Sequence, residues 1–162
     1  MTREGSRGGA RAGPAQARSE LADSGPPVRR LSPAEAGLLE LARALAAIPT
    51  ASGEGDGLAR ALDLLDRAFG PSSLLPRQLA QAWLQTLGDK TGALALGWAR
   101  EQVRRALAEV VDAVSPEAGR EPAVPADTAA WLLLAAAEGE SHEVGGTVSD
   151  RLGAVCALLG LS

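Results

Sequence analysis

The sequence predicts an all-α protein, a bundle of about six helices that follows a disordered N-terminal tail. Three observations lead to this prediction: apolar residues recur at spacings of three and four in six segments, glycine or proline separates these segments, and no segment alternates as a strand does. The chain has 162 residues, of which 46% are hydrophobic and 22% are charged. This length and composition are typical of one soluble domain.

The first 30 residues differ from the rest of the chain. They are rich in Arg, Gly, Ala and Pro, with six arginines against three acidic residues and almost no large apolar side chains. Such a segment buries too little apolar surface to fold, so we predict that residues 1–30 are disordered and that residues 31–162 form one helical domain. The tail is either a solvated linker or a contact for an acidic partner.

The charge of the helical region argues against nucleic-acid binding. From residue 31 onward the chain has seventeen acidic and ten basic residues. This excess of negative charge repels a phosphate backbone. We therefore expect no direct binding of nucleic acid by the folded domain.

The first three helices are predicted from their end signals and apolar stripes. Ser32-Pro-Ala-Glu35 has the capping-box pattern, so the first helix begins there, and Pro49 ends its pattern. Gly70-Pro71 ends the second helix and Gly88 ends the third. The three stripes are Leu38, Leu41, Leu45 and Ile48, then Leu58, Leu62, Leu65 and Phe69, then Leu75, Leu79, Trp83 and Leu87.

The last three helices include two with unusual apolar stretches. The fourth runs from about residue 91 to 114 and is apolar on every side in its first turns, so we expect Leu94, Leu96 and Trp98 near the domain centre or lining an internal cavity. The fifth, about residues 126–138, has nine consecutive apolar residues, which indicates burial on both sides, either in the core or against another subunit. Thr147 caps the sixth, whose stripe is Val148, Leu152, Val155 and Leu159.

The sequence contains no credible catalytic or metal-binding set, and we expect neither enzyme activity nor a cofactor. The glycine clusters lack the strand and the lysine of phosphate-binding loops. His142, the only histidine, is expected in a solvated loop, and the carboxylates of Asp63 and Asp66 are flanked by arginines on an exposed helix face. Cys156, the only cysteine, is expected to be a small buried side chain and not a nucleophile.

The location of the protein is predicted from two missing patterns. The longest apolar run has nine residues, far fewer than a membrane span needs. The N-terminus lacks the apolar core of a secretory signal. We therefore expect a cytoplasmic protein with no membrane contact.

The aromatic residues of the chain are three tryptophans and one phenylalanine. Trp83 and Trp98, on adjacent helices, either fill the core or form the walls of an apolar ligand pocket. Trp131 lies in the uncharged fifth helix. It is a better candidate for an interface anchor than for a ligand contact.

The order of the helices resembles a known regulatory domain. A helix at 58–69 precedes the segment 71–87, and a long helix follows whose second half reads Arg100-Glu-Gln-Val-Arg-Arg-Ala-Leu-Ala-Glu-Val-Val111. After a Pro-rich loop comes Val124-Pro-Ala-Asp-Thr-Ala-Ala-Trp-Leu-Leu-Leu-Ala-Ala-Ala-Glu-Gly139. Over about residues 31–161 this arrangement resembles the C-terminal ligand-binding and dimerisation domain of tetracycline-repressor (TetR) family transcriptional regulators.

The resemblance implies a dimer interface and an effector pocket. The fifth and sixth helices would pair with their copies in a two-fold, four-helix interface formed by Trp131, Leu132, Leu133, Leu134, Leu152, Val155 and Leu159. The pocket would be formed by Phe69, Leu79, Trp83, Leu94 and Trp98. Residues 1–30 do not supply the three-helix DNA-binding unit of that family, so we expect this chain not to bind operator DNA by itself.

These considerations predict a non-enzymatic regulatory domain that binds a small apolar effector. It would form a homodimer, or a mixed dimer with a complete regulator whose DNA binding it weakens. The alternative is a helical protein–protein interaction module without a ligand pocket, in which the fifth helix meets a different protein. The two interpretations differ in whether Trp83 and Trp98 line a ligand cavity or pack in a core that has no cavity.

Overall fold

In a computed structural model of the chain, six α-helices form a bundle, and the described residues contain no strand. The structure describes residues 29–48, 56–114, 124–139 and 146–161. The chain divides into two units, Met1–Arg30 and Leu31–Ser162, and all six helices belong to the second. The predicted all-α class is confirmed. The predicted disorder of residues 1–30 falls, except for the last two, outside the described residues.

The helices follow the predicted order. Their bounds are α1 Pro33–Ala46, α2 Asp56–Phe69, α3 Leu75–Gln85, α4 Lys90–Val114, α5 Ala126–Glu138 and α6 Val148–Leu159. The bounds of the last three agree with the predicted ones to within one residue, whereas α3 ends at Gln85, before the predicted terminator Gly88.

Reciprocal capping begins two of the helices. At α1, Ser32 Oγ accepts a hydrogen bond from the Glu35 backbone N–H at 3.2 Å, and the Glu35 carboxylate accepts one from the Ser32 N–H at 2.7 Å. Thr147 and Asp150 make the same exchange at α6. The backbone hydrogen bond from Thr147 lowers the pKa of Asp150. Gly160 ends α6 at φ 69°, a left-handed conformation that suits glycine.

α4 is the central helix of the bundle. α1 and α5 make the most extensive packing contacts with it, α6 packs on α5, and α2 touches each of the other five helices. The predicted stripes supply much of the core, but Trp83 and Leu87 of the third stripe are exposed. The largest fully buried apolar side chains are Leu38, Leu45, Leu65, Leu96, Val103, Leu107, Val111, Leu133, Leu134 and Leu152.

α3 lies at the edge of the bundle and packs mainly against α1. Its approach is close at Gly37, where an added Cβ would lie 2.9 Å from Leu75 Cδ1. The contact of α3 with α4 is slight, so α3 leaves one side of the first turns of α4 uncovered. Leu96 is buried as predicted, but Leu94 and Trp98 are exposed, and their predicted position at the domain centre is wrong.

Candidate functional site

The five residues of the predicted effector pocket lie in two different environments. Phe69 and Leu79 are buried in the core, whereas Trp83, Leu94 and Trp98 are 45%, 75% and 58% exposed. Side chains that are this exposed do not enclose a ligand. The single chain therefore does not gather the five residues around one closed cavity, and effector binding stays a prediction.

The predicted interface residues also divide into two groups. Leu133, Leu134 and Leu152 are fully buried in the core of the single chain. A second subunit would therefore not contact them. Trp131 is half exposed. Leu132, Val155 and Leu159 are partly buried and retain accessible surface.

The accessible side of these two helices forms a surface that we call the outer face. It consists of Thr128, Trp131, Leu132 and Ala135 on α5 with Val155 and Leu158 on α6. The four α5 residues follow the helical spacing of one stripe, on the side away from the core.

The α6 part of the outer face lies next to α5. Arg151 reaches from α6 to α5, where its Nε donates to the Ala136 carbonyl oxygen at 2.8 Å. Val155 and Leu158 lie one and two turns beyond Arg151, on the same side of α6. Leu158 is 83% exposed.

The two acidic residues of α5 are held by arginines of α4. Glu138 accepts hydrogen bonds from Arg100 Nε and from its terminal nitrogen Nη2, the latter at 2.7 Å, and Asp127 accepts one from Arg104 Nη1 at 2.6 Å. The hydrogen bond to Glu138 raises the pKa of Arg100 above its ordinary value. These contacts pair both carboxylates with α4, and Asp127, one turn before Trp131, keeps a largely exposed side chain.

The two charged residues of α6 are held at the turn between α5 and α6. Asp150 caps the helix through Thr147. Arg151 donates to backbone carbonyl oxygens at the end of α5, at 2.8 Å for Ala136 and for Gly139. All four charged residues of α5 and α6 thus have partners within the chain, and the six residues that define the outer face are uncharged, although Arg151 lies on the same side of α6 as Val155 and Leu158.

Glu101 joins two arginines on the surface of α4. Its carboxylate accepts a hydrogen bond from Arg104 Nε at 2.8 Å and one from Arg105 Nε at 3.0 Å. The hydrogen bonds from Arg104 are the main cause that lowers the pKa of Glu101 to about 2. Glu101 and Asp127 in turn raise the pKa of Arg104 above its ordinary value.

We expect the Glu101→Gln variant to be less stable than the wild type at neutral pH. The loss should be about 0.5–1 kcal/mol, since a third of the side chain is exposed and water screens the ion pairs. The pKa of Glu101 is lower in the folded chain than its ordinary value of 4.5, so its contribution to stability is complete above that pH and is lost as the pH falls towards 2. Urea unfolding at successive pH values measures the difference.

The difference in stability between wild type and Glu101→Gln should therefore shrink below about pH 4.5. Glu109→Gln, a change at an exposed glutamate of the same helix, is the matched control and should alter stability less at neutral pH. A difference for Glu101→Gln that stays constant down to about pH 2 would contradict the assigned ion pairs.

A groove of about 410 Å³ runs between α1 and α4. Its apolar lining includes the buried small side chains of Ala42 and Ala106. Trp98 is exposed at the groove. The other lining residues are Leu39, Arg43, Ala46, Gln102, Arg105 and Glu109. The groove is open to solvent.

Within the described residues, no group of three or more His, Cys, Asp or Glu is placed to bind a metal ion. Asp63 forms an ion pair with Arg67 on the exposed face of α2. Cys156 is buried as predicted, and burial raises the pKa of its thiol, which disfavours the reactive thiolate. The prediction for His142 falls outside the described residues. In the segments that the structure describes, no helix is both long and apolar enough to cross a membrane.

Leu158 and the ion pairs of α5 were not predicted from the sequence. Leu158 is not part of the predicted stripe of α6, and its large apolar side chain three residues after Val155 is the signal that could have indicated it. Arg100 and Glu138 are 38 positions apart, and Arg104 and Asp127 are 23 apart. No local spacing indicates pairs so distant in the chain.

Comparison of the chain with models of protein families, with curated proteins and with solved structures finds no match.

Proposed function

We propose that the chain is a non-enzymatic regulatory domain that works as a homodimer, in which the outer faces of two copies meet. The observation that carries the proposal is the exposed apolar surface of the outer face, where Trp131 and Leu158 remain accessible while every charged residue of α5 and α6 has a partner within the chain. Interface cores are depleted of charge and enriched in aromatic anchors.

A second copy is the partner that fits this face best. In a two-fold dimer the same patch meets itself, so a charged patch would repel its own copy. The outer face has no such repulsion. Two helices from each copy would then form a four-helix arrangement, as in the regulatory domains of the TetR family that the sequence resembles.

The size of the outer face limits the affinity of the proposed dimer. Helices of 13 and 12 residues are roughly 20 Å long and 10 Å wide, which gives a surface of about 400 Å² on each chain. Two such surfaces total about 800 Å², less than the roughly 1,200–2,000 Å² of stable specific interfaces, so the dimer would be weak. We expect a dissociation constant in the micromolar range.

The proposal does not extend to an effector, because the predicted pocket residues do not enclose a cavity in the single chain. The same outer face would also serve a module that binds a different protein. Self-association distinguishes the two: the proposed homodimer forms from the purified chain alone.

Thermal unfolding of the whole chain tests the proposal. Because mass action favours the folded dimer, the midpoint should rise by several degrees between about 2 and about 200 µM protein. Leu158→Glu should abolish this dependence and keep the helical circular dichroism. Leu84→Glu is the matched control, since Leu84 is an exposed leucine on α3, and it should preserve the dependence. A wild-type midpoint that does not change with concentration would refute the homodimer.

A further inference from the structure

We propose that the groove between α1 and α4 is a docking site for an acidic amphipathic helix of a partner protein. The partner would insert an apolar side chain beside Trp98 and place a carboxylate against Arg43. This inference goes beyond the proposed dimer and concerns a different surface.

The apolar part of the groove suits an inserted side chain. Trp98 is 58% exposed and Leu94, one turn earlier on the same side of α4, is 75% exposed. Ala42 and Ala106 end at Cβ, so they leave space between the two helices. A helix that lays its apolar stripe into a groove of this kind uses anchors spaced three and four residues apart.

The charge of the groove favours an acidic partner. The Arg43 guanidinium has no hydrogen bond or ion pair among the residues that the structure describes. Arg105 uses its Nε for Glu101, and its two terminal nitrogens are not engaged in that bond. Guanidinium groups bind carboxylates with strong, directional hydrogen bonds. One acidic residue, Glu109, lines the groove and Glu101 pairs with Arg105, so Arg43 is the cation left for a partner's carboxylate.

The open shape of the groove favours a helix over a small molecule. Pockets for small molecules usually bury 70–90% of the ligand, and this groove is open to solvent. Along α4 it runs from Trp98 to Glu109, roughly 16 Å. A partner helix of about three turns matches this length.

The groove lies apart from the outer face. On α4, Trp98 and Arg100 point about 160° apart around the helix axis. Arg100 faces α5 through its ion pair with Glu138, and Trp98 faces the groove with α1. The Trp98 end of the groove therefore faces away from α5.

Fluorescence anisotropy with a designed peptide tests this site. The probe is a labelled helical peptide of about 18 residues with leucines at positions i, i+3, i+4 and i+7 and glutamates beside them. We expect saturable binding to the whole chain. Trp98→Ala and Arg43→Glu should each weaken it about tenfold or more. The matched controls Trp83→Ala and Arg77→Glu change exposed residues of α3 and should have less than a twofold effect.

A second peptide with lysine in place of glutamate tests the charge preference. It should bind the wild type at least tenfold more weakly than the acidic peptide, and Arg43→Glu should reduce this difference. The proposal is overturned if the acidic peptide does not bind, if both peptides bind equally, or if Trp83→Ala weakens binding as much as Trp98→Ala does. Binding should persist in Leu158→Glu, which separates this result from the test of the dimer.

Discussion

Replacement of Leu133 by alanine is expected to lower the free energy of unfolding by about 2–5 kcal/mol. The Leu133 side chain is fully buried in the core, on the side of α5 that faces the bundle. Its truncation removes apolar contacts and leaves a cavity that the surrounding helices fill incompletely. Urea unfolding followed by circular dichroism, at one fixed protein concentration, measures the loss.

Leu132→Ala is the matched control, because Leu132 is the same residue type one position earlier and lies on the outer face. Its cost should be smaller than that of Leu133→Ala, and it should grow with protein concentration because it includes the lost dimer contact. Equal losses for both variants at every concentration would contradict the assignment of Leu133 to the core and of Leu132 to the outer face.

Trp131→Glu is expected to weaken self-association by at least about 100-fold, equivalent to about 2.7 kcal/mol. Tryptophans near the centre of an interface often dominate the binding energy, and glutamate would add a charge that its own copy repels. Trp131 is half exposed in the single chain, so we expect the variant to keep its helical content. Light scattering after size-exclusion chromatography gives the mass.

Trp83→Glu makes the same chemical change at a tryptophan of similar exposure on α3. It should leave the mass of the protein unchanged. A Trp131→Glu variant that remains dimeric, or a Trp83→Glu variant that becomes monomeric, would show that the contact lies elsewhere on the surface.

Most of the fold follows from local signals in the sequence. The capping residues Ser32 and Thr147 and the terminal Gly160 fix the ends of α1 and α6. Leucines at helical spacing identify the buried side of α1 and α2, since most of their polar residues occupy the other side; the exception is Glu35, which is buried where it caps α1. Each of these signals depends only on residues a few positions apart, so it can be recognised without knowing how the helices pack.

The exposed surfaces were harder to predict because they depend on contacts between distant segments. In α5 the apolar residues surround the helix, and spacing alone does not tell which side faces the core. The choice between Leu133 inside and Trp131 outside follows from packing. Likewise, the exposure of Trp98 depends on the path of α3, which packs against α1 and leaves this side of α4 uncovered.

In the proposed dimer, the outer faces of two copies of the chain meet. Sedimentation equilibrium of the whole wild-type chain, from about 1 to about 200 µM, tests this claim most directly, since a micromolar dimer dissociates within this range. We predict that the average mass rises with concentration from one chain towards two. A single species with the mass of one chain at every concentration would contradict the claim.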